Sequence, residues 1–302
     1  MLRLLLEKQV EVKAIYLIWG LRRTTTGGNK YRRQRHSVPI EEPVLYIHMT
    51  SSMRQEKQKN PFFKQHSPLP LETIQRLSKH ANMKLAVLGA SGRTGQYLVT
   101  QALQQGHEVT ALVRNVGKIP LKHENLKVVE ANIFSADSLS EHFQGQDVIV
   151  SCLGFSPKLF SSISGYTDSM SAIVKAMREA KVDRIIVITS WYTEPNSRQN
   201  SPIILRVFLL PVYRTVLNNI YEMENFLEKE CSDLNWTAVR PPDLQSMPAT
   251  DKEFLTHEGY FVPGDSGPPA RNIVSRGDLA RFMLLQLESN EWTRKAVSIC
   301  TK

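Results

Sequence analysis

Three glycines, Gly89, Gly92 and Gly95, recur at intervals of three within LGASGRTGQ, residues 88–96. An apolar run precedes them and a helix-forming stretch follows. At such a junction each glycine has its own use. Gly89 permits a tight turn, Gly92 lets the backbone approach a pyrophosphate, and Gly95 lets helix and strand pack closely. The free N–H groups and the dipole of the helix start then face the phosphate charge. Gly89, Ala90, Ser91, Gly92, Arg93, Thr94 and Gly95 are therefore the expected phosphate loop of a dinucleotide site. The competing reading is a glycine-rich turn used only for packing.

The end of the second strand discriminates between dinucleotides. A site for NAD usually places Asp or Glu there to hold the ribose 2′-hydroxyl. This chain reads LVRN, with Arg114 at that place, Arg93 in the glycine loop and Lys118 close by. A 2′-phosphate is a dianion that an arginine fork can grip with two hydrogen bonds. NADP(H) is the expected cofactor, against a reading of Arg114 as an ordinary solvated charge. Further contacts follow from strand ends: Asn132 and Ile133 beside an adenine, Leu153 and Gly154 beside the nicotinamide ribose, Thr189 and Ser190 beside the nicotinamide. Each is equally a strand terminus in a chain without a ligand. The eight histidines are dispersed, and Cys152, Cys231 and Cys300 show no C-x-x-C spacing. No metal site and no disulfide framework is expected, and three scattered thiols suit a reducing compartment.

The elements that must position these residues begin at Met83. KLAVLGA (84–90), EVTALVR (108–114), LKVVEAN (126–132), QDVIVSCLG (146–154), VDRIIVITS (182–190) and NWTAVRPP (235–242) read as strands, the last stopped by two prolines; KAVSICT (295–301) reads as a last one. Helical patterns fall at 94–107, 135–145, 166–181, 217–231 and 275–289, the last opening on a Ser275-x-x-Asp278 capping box. Strands alternating with helices imply parallel βαβ units with right-handed crossovers. Near-continuous apolar strands imply a sheet covered on both faces. The expected fold is α/β, a doubly wound parallel sheet of Rossmann-like type spanning 83–302, with ligands at the carboxyl ends of its strands.

Composition divides the chain at the same place. Of 302 residues, 41% are hydrophobic and 22% charged, enough for one sizeable α/β domain with an appendage. Residues 1–82 hold fifteen Lys/Arg against six Glu and no Asp, which accounts for the whole net charge of +9; residues 83–302 hold 23 basic and 23 acidic residues. A basic balance of this kind describes a tail and not the surface of the domain, so no nucleic-acid partner is expected. Residues 1–82 are expected to be a poorly ordered basic extension, with an amphipathic helix or short apolar segment in 1–20 and a short helix at 71–82. Met49, Met53 and Met83 stand as alternative starts. Its arginines and lack of Asp suit a mitochondrial presequence, but Glu7 and Glu11 do not. The expected location is cytoplasmic, with mitochondrial as the alternative. No apolar run approaches the length of about 18 residues that a transmembrane helix needs.

The combination GASGRTG, ALVRN, VIVSCLG, VITS, WTAVRPP and SRGDLARFML resembles the NmrA-like atypical short-chain dehydrogenases. Within them it looks most like the biliverdin reductase B / flavin reductase family, over about residues 83–300. The resemblance implies a single-domain, NADPH-dependent reductase of flavins, biliverdins and related acceptors. By position it implies that the glycine loop and Arg114 bind NADP, that Asn132 and Ile133 flank the adenine, and that Gly154 and Ser190 line the nicotinamide. Pro242, Asp243 and Leu244 would edge the acceptor pocket. Asn132 stands where that family usually has Asp, and Ile220 and Asp243 stand where the flavin reductases have histidines near the pocket.

The Tyr-x-x-x-Lys pair of typical short-chain dehydrogenases, in which lysine lowers the tyrosine pKa for proton transfer, does not occur. Tyr166, Tyr192, Tyr213 and Tyr221 are followed at that spacing by Met170, Asn196, Leu217 and Asn225. Carbonyl reduction by that dyad is disfavoured. Reduction of a flavin needs less: a ring stacked on the nicotinamide, with its proton taken from water. The expected function is thus an NADPH-dependent oxidoreductase acting on a planar flavin, biliverdin-like or quinone-like acceptor, any flavin being substrate and not resident cofactor. Ser190, Tyr192 and Asp243 are its candidate catalytic residues. Ser190 would orient the nicotinamide or bond the acceptor, and Asp243 is either a proton donor or a solvated loop carboxylate. Trp191 and Tyr192 are either an aromatic wall for a planar ring or plugs in the core. The alternative is a non-catalytic NADP(H) sensor or assembly factor of the NmrA-like type. The apolar segment 198–217 reads as core, lid, dimer contact or membrane-surface patch. Monomer and homodimer are equally open.

Overall fold

The computed structural model describes residues 82–155, 164–203, 205–264 and 273–302. The N-terminal extension expected at 1–82, with its segment at 1–20 and helix at 71–82, lies outside the described residues apart from Asn82. The described strands are β1 (Lys84–Leu88), β2 (Glu108–Val113), β3 (Leu126–Glu130), β4 (Val148–Ser151), β5 (Arg184–Ile188), β6 (Asn235–Arg240), β7 (Asp243–Gln245), β8 (Phe254–His257), β9 (Ile273–Ser275) and β10 (Lys295–Thr301). The helices are α1 (Arg93–Gln104), α2 (Ala136–Phe143), α3 (Gly165–Ala180), α4 (Leu210–Glu230) and α5 (Arg276–Leu285).

Eight strands form one sheet in the order β3-β2-β1-β4-β5-β6-β10-β8, and β7 pairs with β9 in a separate two-stranded ribbon. All pairings in the large sheet are parallel except β8 with β10. The chain runs outward from β1 through β2 to β3 and then returns to place β4 on the other side of β1. The strand order therefore reverses between β1 and β4, the point at which a doubly wound sheet opens a crevice at its carboxyl edge. The expected α/β architecture is the one observed.

The alternation of side chains along a strand explains why both faces are covered. In β1, Leu85 and Val87 enter a cluster with Leu98 and Val99 of α1 and Leu279 and Met283 of α5. Ala86 and Leu88 enter the opposite cluster, with Leu139 and Phe143 of α2, Met170 and Ile173 of α3, and Ile220 and Met223 of α4. Burying each such large side chain contributes roughly 1.5–3 kcal/mol, which is why the strands need no polar face.

Helix ends follow local chemistry. The Ser135 hydroxyl accepts from the Ser138 amide at the start of α2, and Ser275 accepts from the Asp278 amide at the start of α5. Gly106 ends the α1 connection with φ 87°, a left-handed conformation that suits glycine. Two departures from the sequence expectation have physical causes. α4 begins at Leu210, seven residues earlier than its apolar period indicates, because Pro211 falls in the first turn, where the missing N–H costs nothing. β7, β8 and β9 have three or four residues each and carry no sustained alternation to announce them.

Candidate functional site

The glycine loop lies between β1 and α1 against the end of β4. Gly89 adopts φ 71°, and a methyl there would sit 2.7 Å from the Cys152 carbonyl oxygen. The Gly92 amide donates to the Gly89 carbonyl at 2.8 Å, which closes the turn. A methyl on Gly95 would come within 2.2 Å of that same carbonyl oxygen. These two close approaches explain the glycines without reference to a ligand, and they fold the loop tightly onto the sheet edge. Gly92 is the N-cap of α1, extended at φ −73°, with no side-chain cap and no acidic residue in the first turn. Gly92 and Arg93 are exposed, whereas Thr94 and Gly95 are buried and Ala90 and Ser91 are largely covered. Among the described residues, no side chain caps the amides at this helix start.

Register brings the other predicted strand ends to this edge. Leu88 pairs with Leu112 on one side and Ser151 on the other. Arg114 therefore lies level with the loop on the β2 side, and Leu153 and Gly154 on the β4 side. Arg114 is exposed, and among the described residues it makes no hydrogen bond or ion pair; Asn115 beside it caps the following turn by accepting from the Gly117 amide at 2.9 Å. Gly154 is exposed, and a methyl there would meet open space. Beyond β3, the Asn132 side chain accepts from the Phe134 amide at 3.1 Å and its own amide donates to Ser138, while Ile133 turns into the core at 8% exposure. Beyond β5, Thr189 donates its amide to Val239 O at 2.8 Å and is buried, and Ser190 is half-buried. Pro242 is buried at the end of β6.

Tyr192 and Trp191 form a plug and not a wall. Their exposures are 4% and 2%, and they pack with Val262, Val274 and Cys300 in a small cluster of their own. The Tyr192 hydroxyl and the Trp191 Nε1 are buried without a partner among the described residues. Burial pushes the Tyr192 hydroxyl up to about 12. Tyr192 thus packs into this cluster and away from solvent. Its backbone φ is 59°, rare for a residue with a bulky side chain.

That turn is held by charge. Arg198 donates to the carbonyls of Tyr192 at 3.0 Å and Thr193 at 2.7 Å, and the Thr193 hydroxyl donates to Glu224 at 2.9 Å. Glu224 in turn accepts two bonds of 3.0 Å from Arg240, both side chains being almost fully buried. Arg240 also donates to the Glu258 and Gly259 carbonyls and stacks on the Tyr260 ring at 4.0 Å.

Asp243 is exposed, accepts from the Leu244 amide at 2.9 Å, and lies within electrostatic reach of Arg276. No local sequence pattern marks Arg276 as a site residue. It is the first residue of α5, donates to Leu244 O at 2.6 Å and Ser246 Oγ at 3.1 Å, and sits close enough to Arg93 to feel its charge. Burial first, then Arg93, lowers its pKa from the usual arginine value. Two guanidinium groups thus converge beside the glycine loop from segments 183 positions apart in the numbering. Nothing local in the sequence announces that convergence; only the packing of α5 against α1, where Gln101 donates to Gly277 O at 2.9 Å, brings it about. A second residue missed is Tyr166, whose hydroxyl accepts from the Phe155 amide at 3.1 Å and so fixes the chain just past Gly154. Among the described residues no three His, Cys, Asp or Glu side chains come together as a metal site.

Residues 89–290 match the family described as NAD(P)H-binding. The chain is 27% identical over 240 residues to the uncharacterised chloroplastic protein At2g34460 of Arabidopsis thaliana, covering 77% of this chain and 82% of that one. It is 35% identical over 69 residues to the photosystem II assembly factor Ycf39 of Synechocystis, covering 22% of this chain and 21% of the relative. It spans 46% of YwnB from Bacillus subtilis. Among solved structures, a short-chain dehydrogenase/reductase from Veillonella parvula in complex with NADP superposes with a TM-score of 0.56 at 18% identity, over 72% of this chain and 94% of that one.

Proposed function

Because the chain belongs to the NAD(P)H-binding family, we propose that it is an NADPH-dependent oxidoreductase that reduces a planar flavin, biliverdin-like or quinone-like acceptor. The observation that carries this reading is the uncapped start of α1 flanked by three arginines, Arg93, Arg114 and Arg276. Phosphate charge is what such a cradle of amides and guanidinium groups fits. Gly89 to Gly95 and Arg93 would hold the pyrophosphate, Arg114 the 2′-phosphate, and Asn132 and Ile133 the adenine. Arg276 would add positive charge, with Asp243 limiting the excess. Gly154, Thr189 and Ser190 would line the nicotinamide, which supplies a hydride when bound. Leu153, Pro242 and Leu244 complete the edge of that pocket.

The chain's own contribution to the chemistry is placement. Gly154 leaves room on one side of the crevice, and Ser190 offers a hydroxyl on the other for orienting a ring. With no Tyr-x-x-x-Lys pair to move a proton, the reaction is one whose proton comes from water. Orientation of this kind supplies roughly 7–11 kcal/mol of barrier reduction in favourable cases. Turnover of NADPH with FMN, riboflavin or dichlorophenolindophenol tests the proposal. Failure with every acceptor, alongside tight NADPH binding, rejects it.

That failure would favour a second reading, a non-catalytic NADP(H) sensor or assembly factor. The missing dyad and the similarity to a protein named as an assembly factor support it. A partner retained only in the presence of one redox form of the nucleotide would establish it. Three buried cysteines, none in a disulfide, support a reducing compartment such as the cytoplasm.

A further inference from the structure

The segment between β5 and the body of α4 carries an apolar surface that neither the cofactor site nor the core uses. Ile203, Val207, Phe208, Leu209, Val212 and Tyr213 are 66%, 55%, 69%, 50%, 52% and 42% exposed. Half of the large hydrophobic side chains that stand exposed among the described residues thus fall within eleven positions. Isolated exposed apolar residues are ordinary, but a contiguous set marks a surface that something covers. Core packing, one of the expectations for 198–217, does not hold for these side chains. Among the described residues, Leu205 packs against the Trp191–Tyr192 cluster beside the carboxyl end of β5, and Val216 and Leu217 further along are buried.

The charge around this surface identifies the occupant. From residue 195 to residue 221 the chain has no Asp or Glu, and its charged side chains are Arg198, Arg206 and Arg214. Arg198 is spent on the Tyr192–Thr193 turn. Arg206 and Arg214 are exposed, and among the described residues neither meets a carboxylate; Arg206 gives one bond to the Gln199 carbonyl. Their stems can lie along apolar surface while the guanidinium groups reach outward to phosphate. The helical residues Leu205–Leu209 run into α4 through Leu210, so the apolar side chains sit on a short helical corner. No described helix is long and apolar enough to cross a membrane. An exposed helical corner with protruding apolar side chains, Arg at its rim and no acid fits the interface of an anionic bilayer.

We propose that Ile203 and residues 205–214 form a membrane-docking surface, with Val207, Phe208, Leu209 and Val212 entering the headgroup region of an anionic leaflet and Arg206 and Arg214 pairing with lipid phosphate. The test must separate this surface from the basic residues 1–82, which would themselves attract anionic vesicles. Cys152, Cys231 and Cys300 are buried, so in full-length Phe208→Cys an environment-sensitive NBD label goes to position 208. With phosphatidylcholine vesicles containing phosphatidylserine, NBD emission should rise several-fold and shift to the blue; with phosphatidylcholine alone it should change little. Adding Val212→Asp, at an exposed position, should remove the rise and leave the thermal midpoint unchanged. Three results would overturn the proposal: vesicle flotation without any NBD change, which assigns binding to the tail; a rise that survives Val212→Asp; or a rise with protein concentration in the absence of lipid, which assigns the surface to a second copy. None of these readouts depends on NADPH turnover, so the proposal and the oxidoreductase reading fail separately.

Discussion

In the proposed function, Arg114 is the residue on which cofactor choice turns. It stands exposed at the end of β2, with no described partner, level with the glycine loop through the pairing of Leu88 with Leu112. A hydrogen bond to a charged group is worth about 1.5–3 kcal/mol, or roughly 10–100-fold in affinity. Arg114→Asp should therefore raise the KM for NADPH by about 10–100-fold and move that for NADH far less. Steady-state kinetics with both nucleotides check this, and equal changes would remove Arg114 from the site. Cys152, directly beneath Gly89, makes a second prediction. Burial pushes its thiol from 9.0 up to about 12. A raised pKa means that the folded chain keeps a proton that the unfolded chain releases above pH 9. Stability is then complete below that value and falls as pH climbs toward 12, by about 1.4 kcal/mol per unit for one group. Urea denaturation at pH 8, 9, 10 and 11 should show that decline, and Cys152→Ala should make it shallower.

At the scale of elements, the strand ends owe their positions to polar groups that sequence pattern does not expose. Glu224 on α4, Arg240 on β6 and Thr193 after β5 meet in a buried network. Removing one partner of a buried pair leaves an uncompensated charge and costs about 3–5 kcal/mol. Glu224→Leu should lower stability by that amount, whereas Glu224→Leu with Arg240→Leu should lose much less than the sum of the single changes. A double-mutant cycle by chemical denaturation measures it, and additive losses would mean the two side chains do not support each other. The same elements show what the sequence could reveal. Gly89 and Gly95 announce their loop because a positive φ and close packing each demand glycine there. The apolar runs of β1, β2, β4 and β5 announce a covered parallel sheet. The direction of Tyr192 is not legible from its adjacency to Ser190: its φ is positive, and its ring packs in the cluster with Trp191 and Phe261. Arg276 is illegible in the sequence because its meeting with Arg93 is made by helix packing, across most of the domain's length.

At the scale of the molecule, charge and fold part company at the same point in the chain. The excess of +9 resides in residues 1–82, while residues 83–302 balance 23 basic against 23 acidic side chains. The family match begins at residue 89 and ends at 290, wholly inside the balanced part. Every residue placed around the crevice lies there as well. A tail charge acts on a distant anion only within a Debye length, about 8 Å at physiological ionic strength. NADPH should therefore bind a chain of residues 83–302 as it binds the full chain, with KM and kcat equal within about twofold at 0.15 M salt. As salt is lowered the full chain should gain affinity for the anionic nucleotide relative to the shorter one, because screening weakens. Parallel kinetics on both chains across a salt series provide the measurement. A large difference that persists at high salt would mean that residues before Met83 make short-range contact with the cofactor, and the site would then extend beyond the sheet edge described above.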